Sequence, residues 1–412
     1  MSEHYDALET RDPALREREQ FALLRRQLAH AIAHSPATAQ RLAGVDPESI
    51  DSHAALARIP VLRKGDLLAL QKADRPFGGL DARGEGAMRR VFASPGPIYE
   101  PEGPGPDHWR FARALFAAGF RRGELIHNCF AYHFTPAGSM LETGAHALGC
   151  AVFPAGVGQT EQQVAAIADL KPAGYVGTPS FLRIIVERAD DLGVALPSLS
   201  KALVSAEPFP PSLRDALAAR GIDAYQAYAT ADVGVIAYET AAREGLVVDE
   251  GALVEIVHPG TGDPVTPGEI GEVVVTPLAN PVYPLIRFGT GDLSAVWPGP
   301  SPCGRTNLRI RGWLGRADQA TKVKGMFVHP GQVAAIVKRH PEVRRARLVV
   351  EHVGDRDRMI LHVETTGMTP ELADAIVQSI REVTKLRGEV TFRAIDELPD
   401  DGKVIDDLRK LE

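Results

Sequence analysis

Residues 160–193 read TEQQVAAIADLKPAGYVGTPSFLRIIVERADDLG, and this stretch decides the fold class. Thr160 and Gln163 form a capping-box pattern ahead of apolar residues that recur at helical spacing. The apolar run 174–176 has the length of a short buried strand. Ser180 is the predicted cap of a second helix over 181–192, which Gly193 ends. A helix, a strand and a helix in direct succession predict an α/β fold.

The same alternation continues on both sides of this stretch. A helix is predicted over 211–220, and apolar runs of strand length stand at 124–129, 151–154, 202–204 and 224–227. Strands separated by helices imply mixed or parallel sheets with helices on both faces. From about residue 246 the pattern becomes β-rich, which predicts either an antiparallel sheet or a small β-barrel-like part.

The two ends of the chain have their own patterns. Residues 11–43 carry leucine, isoleucine and phenylalanine at helical spacing, which predicts an amphipathic outer helix. The C-terminal part predicts a small α+β unit, with helices at 330–339 and 370–385 and strands at 346–352, 359–363 and 389–394. We therefore predict a large N-terminal domain of several subdomains over 1–317 and a small lid-like α+β domain over 318–412.

Composition excludes several classes of protein. The 412 residues contain 46 basic and 53 acidic side chains, a net charge of −7, so no global positive field attracts nucleic acid or an anionic membrane. No apolar run reaches the roughly 20 residues of a membrane span, and the charged first residues do not resemble a signal peptide. Three cysteines are too few for a disulfide framework, which favours the cytoplasm.

Lys403 is the first candidate for chemistry, because the chain has only ten lysines against thirty-six arginines. It stands in DELPDDGKVIDDLRK, a polar segment that is typical of an exposed loop. A mobile loop with one cation can deliver it to a reacting phosphate. The alternative interpretation is an ordinary solvated surface lysine.

Two further segments present acidic and aromatic side chains at strand ends. Asp292 in YPLIRFGTGD could accept both hydroxyls of a ribose, or could simply form an Asx turn. Tyr228 and Asp232 in YQAYATADVG could cover an adenine ring and hold Mg²⁺ beside phosphates. The alternatives for these two residues are a core tyrosine and a helix N-cap.

Aromatic residues cluster at Tyr132, His133 and Phe134, directly before TPAGS. At a strand-to-loop exit such a group can wall a flat apolar pocket, although ordinary core packing explains it as well. A second loop, Ser94-Pro-Gly-Pro97, is glycine-containing but loses two backbone N–H donors to proline, so it makes a poor phosphate cradle.

The order of these motifs is more specific than any one of them. From N to C the chain contains SPG (94–96), AYHF (131–134), SAEP (205–208), YATAD (228–232), RFGTGD (287–292), GRADQATKVKG (315–325) and GK (402–403). This order resembles that of the adenylate-forming acyl-CoA synthetase superfamily, and the spacing resembles its phenylacetate-CoA ligase branch. The segments ARIPVLRKGDLL, GTPSFLRII and GWLGR are also similar to that branch.

The resemblance implies a two-step reaction with ATP, Mg²⁺ and coenzyme A. A carboxylate attacks the α-phosphate to give an acyl-adenylate, and the CoA thiolate then takes the acyl group and releases AMP. It implies that Lys403 is catalytic, that Asp318 is the hinge and that Asp232 meets Mg²⁺ bound to ATP. The acyl pocket would be lined by Tyr132, His133 and Phe134, which in this branch favours an aromatic acid. The nucleotide-binding set that it implies is Ser94, Gly96, Ser205, Ala206, Glu207, Pro208, Tyr228, Ala229, Thr230, Asp232, Asp292 and Arg316.

The chain departs from the family pattern in three places. The phosphate loop is usually rich in serine, threonine and glycine and ends in a lysine, whereas here it reads ASPGPIYEPEG. The Mg²⁺ motif carries Asp232 where glutamate is usual, one methylene shorter. Some members of the branch carry four cysteine and histidine ligands for structural zinc. The matching positions here are Thr240, Val247, Ser301 and Cys303, from which we predict no zinc site.

Three functions remain open at this point. The leading one is an ATP-dependent acid–CoA ligase for an aryl acid, with a homodimer as the family-level expectation. A second keeps adenylation but passes the acyl group to an amine or a carrier-protein thiol. A third is a catalytically degenerate protein that binds an acyl-AMP or acyl-CoA, which the altered phosphate loop favours and the retained Lys403 opposes.

Overall fold

The computed structural model describes residues 3–258, 261–317, 321–323, 326–328, 330–353, 356–399 and 403–409. The chain divides into two compact units, Met1–Leu314 and Gly315–Glu412, which are described separately below. The α-helices are α1 (Pro13–His34), α2 (Pro36–Arg41), α3 (His53–Leu56), α4 (Lys64–Ala73), α5 (Phe111–Ala117), α6 (Ala137–Leu148), α7 (Thr160–Leu170), α8 (Pro179–Asp191), α9 (Pro211–Ala218), α10 (Pro330–Val337) and α11 (Pro370–Thr384).

The strands are β1 (Leu62–Arg63), β2 (Arg90–Ser94), β3 (Ile98–Glu102), β4 (Leu125–Asn128), β5 (Ala151–Phe153), β6 (Gly174–Gly177), β7 (Lys201–Val204), β8 (Asp223–Thr230), β9 (Gly234–Tyr238), β10 (Leu246–Val248), β11 (Ala252–Val257), β12 (Gly271–Pro277), β13 (Phe288–Ser294), β14 (Val296–Trp297), β15 (Arg309–Ile310), β16 (Gly315–Arg316), β17 (Thr321–Val323), β18 (Met326–Val328), β19 (Val343–Val353), β20 (Arg356–Thr365), β21 (Glu389–Arg393) and β22 (Ile405–Asp407). Short 3₁₀ helices lie at Ala7–Thr10, Pro47–Ser49 and Glu85–Ala87.

The largest sheet of the first unit runs in the order β14-β15-β10-β9-β8-β7-β6-β4-β5. The five strands from β5 to β8 are parallel, and those from β8 to β14 are antiparallel. The predicted α/β class with mixed sheets is therefore confirmed. Because parallel strands end at one edge of a sheet, the loops after β4, β6, β7 and β8 gather at that edge.

Helices cover both faces of the parallel part, as the alternating pattern predicts. On β6, Tyr175 points into a core with α7, α8 and α9, while its neighbour Val176 points into a core with α5 and α6. Two details of the predicted helices were wrong. Gln159, in the left-handed region with φ 51°, caps α7 in place of Thr160, and Thr178 caps α8 in place of Ser180.

The predicted outer helix over 11–43 is two helices, because Ser35 caps α2 and Pro36 begins it. The buried face of α1 packs Phe21, Leu24 and Leu28 against residues of α3 and of the β11–β13 region. This arrangement ties the N-terminal segment to the second sheet.

The second sheet of the first unit runs in the order β1-β13-β12-β11. Its strands pair antiparallel except for β1 with β13, and among the described strands β11 and β1 do not pair with each other. Of the two arrangements that the sequence left open, the structure therefore has the open sheet and not the closed barrel. The parallel β1–β13 pair brings the start of α4 beside β13.

A buried arginine anchors the segment that precedes β1. Arg287 is 1% exposed and forms two hydrogen bonds with the carboxylate of Glu255, at 2.9 and 3.0 Å. Its guanidinium also donates to the carbonyl oxygens of Ala57, Ile59 and Gly262. One side chain thus holds together β11, the loop after it and the loop before β1, and a guanidinium is suited to this because its donors form a fixed fork.

The second unit contains a sheet of order β21-β20-β19-β22, against which α10 and α11 pack. Strands β19 and β20 are antiparallel, and each pairs in parallel with its outer neighbour. This α+β unit has its own apolar core, which includes Ile336, Val350, Leu361 and Ile376. In the described parts of the chain, no helix is both long and apolar enough to cross a bilayer.

We expect Arg287→Met to lower the free energy of unfolding of the first unit by about 3–5 kcal/mol, because it leaves the Glu255 carboxylate buried without its partner. Denaturant unfolding followed by tryptophan fluorescence measures this. The matched control is Arg183→Ala, which removes only the exposed i,i+4 pair with Glu187 and should cost about 0.5 kcal/mol or less. Equal effects of the two changes would contradict the anchoring role.

Candidate active site

Most of the predicted site residues of the first unit lie at the edge where the parallel strands end. Ser205 follows β7, Tyr228 stands near the end of β8, and Asp232 is in the turn between β8 and β9. Tyr132 follows β4 at the same edge. Open α/β sheets bind ligands in the crevice outside these strand ends.

Tyr228 and Asp292 meet across the two sheets. The Tyr228 hydroxyl lies 2.8 Å from Asp292 Oδ2 and 3.2 Å from Thr290 Oγ1. Trp313 Nε1 donates to the other carboxylate oxygen of Asp292 at 3.1 Å. Asp292 is 7% exposed and has its two oxygens fixed by aromatic donors, and each oxygen keeps lone pairs that can accept ribose hydroxyls. Trp313 was not predicted as a site residue; the only signal for it was the GWLGR resemblance.

Asp232 lies in a cluster of charged side chains. Lys64, the first residue of α4, places its Nζ 3.0 Å from Asp232 Oδ2 and 3.3 Å from Oδ1. The Asp232 side chain is 1% exposed and that of Lys64 is 35% exposed. The fold therefore sets an ammonium group between a buried carboxylate and solvent, which the sequence did not predict.

Glu100 on β3 belongs to the same cluster. Burial raises the pKa of Glu100 to about 8, the negative charge of Asp232 adds to this, and Ser94 and Lys64 oppose it. Glu100 also accepts a hydrogen bond from the Ser94 hydroxyl, which ties its carboxyl group to the β2–β3 hairpin.

The residues around Asp232 fit a metal that arrives with a substrate. Among the described residues, no group of three or more histidine, cysteine, aspartate or glutamate side chains could hold an ion alone. Mg²⁺ is commonly held by one or two carboxylates together with substrate phosphates, so Asp232 would hold it and the ion would neutralise phosphate charge. The hydroxyl of Thr230 accepts a hydrogen bond from the Val233 amide at 3.4 Å, and Ala229 lies beside it in β8.

The predicted phosphate loop is the tip of the β2–β3 hairpin. Ser94 pairs with Ile98, so residues 95–97, including Gly96, form the exposed turn. The hairpin root is held by Glu102, which is fully buried and accepts hydrogen bonds from Arg90 at 2.9 Å and from Ser139 on α6 at 2.7 Å. Because the Ser94 hydroxyl is directed to Glu100, it contributes to the acidic cluster within the hairpin.

The segment Ser205-Ala206-Glu207-Pro208 follows β7 as a turn. The Ser205 hydroxyl donates to the Ala227 carbonyl oxygen on β8 at 2.7 Å, and Ala206 has a φ of 70° in the left-handed region. Glu207 is exposed and accepts a hydrogen bond from the Ser180 hydroxyl at 2.5 Å. This turn therefore has a fixed position next to Tyr228, on the side that the resemblance assigns to adenine.

The three aromatic-segment residues do not form one buried wall. Tyr132 is half-buried, its hydroxyl accepts a hydrogen bond from Asn128 at 2.8 Å, and its ring packs over the position of Gly138. His133 and Phe134 are exposed, and Phe134 is 81% exposed. The Phe134 carbonyl accepts from the Ala93 amide at 2.8 Å, which joins this loop to the hairpin. The pocket-lining role of the segment stays a prediction.

The remaining predicted residues belong to the second unit. Lys403 is half-exposed, and its ammonium lies 3.4 Å from Asp406 Oδ1. Arg316 forms β16 with its neighbour Gly315. Asp318, the predicted hinge, lies outside the described residues. The catalytic, phosphate-binding and hinge roles of these three residues stay predictions.

Comparison with known proteins identifies the family. A family model described as AMP-binding enzyme matches residues 110–277. A phenylacetate-coenzyme A ligase of Thermus thermophilus is 33% identical over 375 residues, which are 86% of this chain and 83% of that protein. An Escherichia coli phenylacetate-coenzyme A ligase is 31% identical over 355 residues, 82% of this chain and 79% of that protein.

The chain belongs to the phenylacetate-coenzyme A ligase family of AMP-binding enzymes. A crystal structure of 2-hydroxyisobutyryl-CoA ligase with 2-HIB-AMP and CoA, in the thioesterification state, covers 100% of this chain and 93% of its own, with a TM-score of 0.82 and 24% identity. The amide bond synthetase McbA of Marinactinospora thermotolerans has a TM-score of 0.56 and 17% identity, covering 94% of this chain and 92% of its own. These two structures share the fold.

In this member of the phenylacetate-CoA ligase family, three of the four positions that match the zinc ligands of some relatives lie together. The Cys303 sulfur is 3.4 Å from Thr240 Oγ1, 3.1 Å from Ser301 Oγ and 3.4 Å from Arg305 Nη1. Val247, at the fourth position, is buried in a hydrophobic core. Burial raises the pKa of Cys303, but the hydrogen bonds from Ser301, Thr240 and Arg305 outweigh it and lower the value to about 7. Hydroxyl and guanidinium donors thus stabilise the thiolate; the absence of zinc stays a prediction.

We expect iodoacetamide to alkylate Cys303 with a midpoint near pH 7, because the thiolate is the nucleophile. Mass spectrometry of peptides labelled at successive pH values measures this. Thr240→Val removes one donor and should move the midpoint to higher pH. Cys129 and Cys150 are internal controls, since burial raises the pKa of both, that of Cys150 to about 11. A Cys303 midpoint at the ordinary thiol value would contradict the stabilisation.

Proposed function

We propose that the acid activated by this ATP-dependent acid–CoA ligase is an aromatic, phenylacetate-like carboxylic acid. The observation that carries the proposal is the similarity to curated phenylacetate-coenzyme A ligases of four organisms, at 30–33% identity over more than four fifths of this chain. Tyr132 supports the proposal. It is half-buried and lies at the same sheet edge as Tyr228, and an aromatic side chain packs well against a flat ring.

The reaction runs through an acyl-adenylate. A carboxylate oxygen of the acid attacks the α-phosphorus of ATP, and pyrophosphate leaves; the CoA thiolate then attacks the acyl carbonyl, and AMP leaves. In our proposal Asp292 accepts the ribose hydroxyls while Tyr228 and Trp313 fix its carboxylate. Ser205 and the turn after it lie on the adenine side, and Asp232 holds the Mg²⁺ that ATP brings.

Lys403 is proposed as the cation of the first step. Negative charge collects between the attacking carboxylate and the α-phosphate in the transition state, and an ammonium group placed there stabilises it. Arg316 would assist at the ribose or phosphate, and Asp318 would be the hinge residue. The second unit would present these groups for adenylation and withdraw Lys403 for the thioester step.

The cellular setting is also a proposal. The described cysteines Cys129, Cys150 and Cys303 are free thiols, and two of them are buried, which suits the reducing cytoplasm. A homodimer is the family-level expectation, and sedimentation velocity of the purified chain tests it.

We expect the purified chain with Mg²⁺ to catalyse exchange of labelled pyrophosphate into ATP only when a suitable acid is present, and phenylacetate and its ring-substituted analogues to support it best. Short aliphatic acids are the matched controls. The CoA thioester should then form when CoA is added. Exchange without thioester formation would favour an amine or carrier-protein acceptor. No exchange, together with binding of an acyl-AMP analogue, would favour the non-catalytic binder.

We expect Lys403→Ala to slow adenylate formation by about 10²- to 10³-fold, the size seen when one transition-state donor is removed. Thioester formation from supplied acyl-adenylate should be retained, because the second step does not use this cation. Single-turnover kinetics of each half-reaction measure the two rates. Lys338→Ala, which removes an exposed lysine of the same unit, is the control. Equal loss of both half-reactions would contradict the role of Lys403.

A further inference from the structure

The phosphate loop of this chain lacks the cation that its relatives place there. The hairpin tip 95–97 carries two prolines, and no lysine occurs in the surrounding segment ASPGPIYEPEG. Proline has no backbone N–H, so the tip offers few donors to a phosphate. The triphosphate of ATP carries several negative charges that Mg²⁺ alone does not neutralise, so the site requires a cation from elsewhere in the fold.

Two independent observations place Lys64 beside the candidate phosphate site. Its ammonium lies 3.0 Å from the Asp232 carboxylate, the candidate Mg²⁺ ligand. The parallel pairing of β1 with β13 sets Leu62 beside Phe288 and Arg63 beside Gly289, so the chain enters α4 alongside the part of β13 that carries Thr290 and Asp292. Lys64 therefore contacts the candidate Mg²⁺ ligand Asp232, and the chain that leads to it runs beside β13, which carries Thr290 and Asp292.

The geometry of Lys64 suits an exchangeable cation better than a permanent core ion pair. Its side chain is 35% exposed while that of Asp232 is 1% exposed, so Lys64 forms the solvent-facing side of this ion pair. An ammonium on a flexible four-carbon stem can turn from a carboxylate to a phosphate oxygen without a change of backbone.

We propose that Lys64 binds the β- and γ-phosphates of ATP and the departing pyrophosphate, taking the place of the lysine that the phosphate loop lacks. Before ATP binds, Asp232 holds the Lys64 ammonium. With Mg·ATP bound, Asp232 would be the ligand of the Mg²⁺, and the Lys64 ammonium would turn from Asp232 to the phosphate oxygens. The inference rests on the proposed function, because it assigns a residue to the ATP that the ligase consumes.

The first test compares ligands with and without the outer phosphates. We expect Lys64→Met to weaken binding of Mg·ATP and of inorganic pyrophosphate by about 10- to 100-fold, the size expected for a charge-assisted contact, while binding of AMP changes less than about twofold. Isothermal titration calorimetry without acid or CoA measures all three. Lys72→Met, which removes an exposed lysine from the other end of α4, should leave them unchanged. Equal weakening of ATP and AMP, or no weakening, would overturn the proposal.

The second test separates phosphate binding from neutralisation of Asp232. Asp232→Asn removes the ion pair between Asp232 and Lys64. We expect metal-free pyrophosphate to bind about 10-fold or more tightly to Asp232→Asn than to Asp232→Asn combined with Lys64→Met. The double variant carries no unpaired buried charge, so this comparison holds even when Lys64→Met alone fails to fold. Equal affinities in the two backgrounds would show that Lys64 only neutralises Asp232.

The outcome also distinguishes this inference from the proposed function. If the unchanged chain binds Mg·ATP and pyrophosphate and the Lys64 variants bind them equally well, the assignment of Lys64 fails while the ligase activity stands. If the unchanged chain binds neither ligand, both fail. Activity with aromatic acids does not enter the measurement, so the nature of the acid has no influence on it.

Discussion

The hydroxyl of Tyr228 joins the two sheets of the first unit at the candidate active site. Tyr228 belongs to β8 of the large sheet and Asp292 to β13 of the second sheet, and their side chains meet at 2.8 Å. The contact requires β8, β13 and the Trp313 segment to keep their relative positions, and the apolar core that contains Tyr228 and Phe288 provides this. The positions of Ser205 and Asp232, the other predicted nucleotide-side residues, depend on the same contact because these residues flank Tyr228 along the same sheet edge.

Much of this arrangement is present in the sequence as local pattern. The alternation of short apolar runs with helical spacing predicts β6, α8, β7 and α9 within a few residues, since burial on both faces leaves a strong periodic signal. Tyr228 and Asp292 could be named because each stands in a short motif after an apolar run, although the structure places Asp292 within β13 and not at the end of a preceding strand. The order of such motifs, from the SPG turn to the GK pair, was sufficient to predict the family that the comparisons then identified.

The features of the site that the sequence did not predict are those that depend on contacts between residues distant in sequence. Lys64 lies 168 positions from Asp232, and nothing in KGDLLAL shows where its ammonium points. The raised pKa of Glu100 depends on its burial and on the nearby charge of Asp232, which are properties of tertiary packing. Gln159 occupies the N-cap position of α7 without a side-chain cap, and Gln163 forms a hydrogen bond with His127 at 2.6 Å, a tertiary contact that the local capping-box pattern does not show.

The prolines at the tip of the β2–β3 hairpin have a thermodynamic consequence. A glycine- and serine-rich phosphate loop must lose conformational entropy when it closes on ATP, and that loss reduces the net affinity. Here Pro95 and Pro97 restrict the backbone in advance, and Glu102 fixes the hairpin root through Arg90 and Ser139. The hairpin tip therefore has less backbone conformational entropy to lose on ordering than a glycine- and serine-rich loop of the same length.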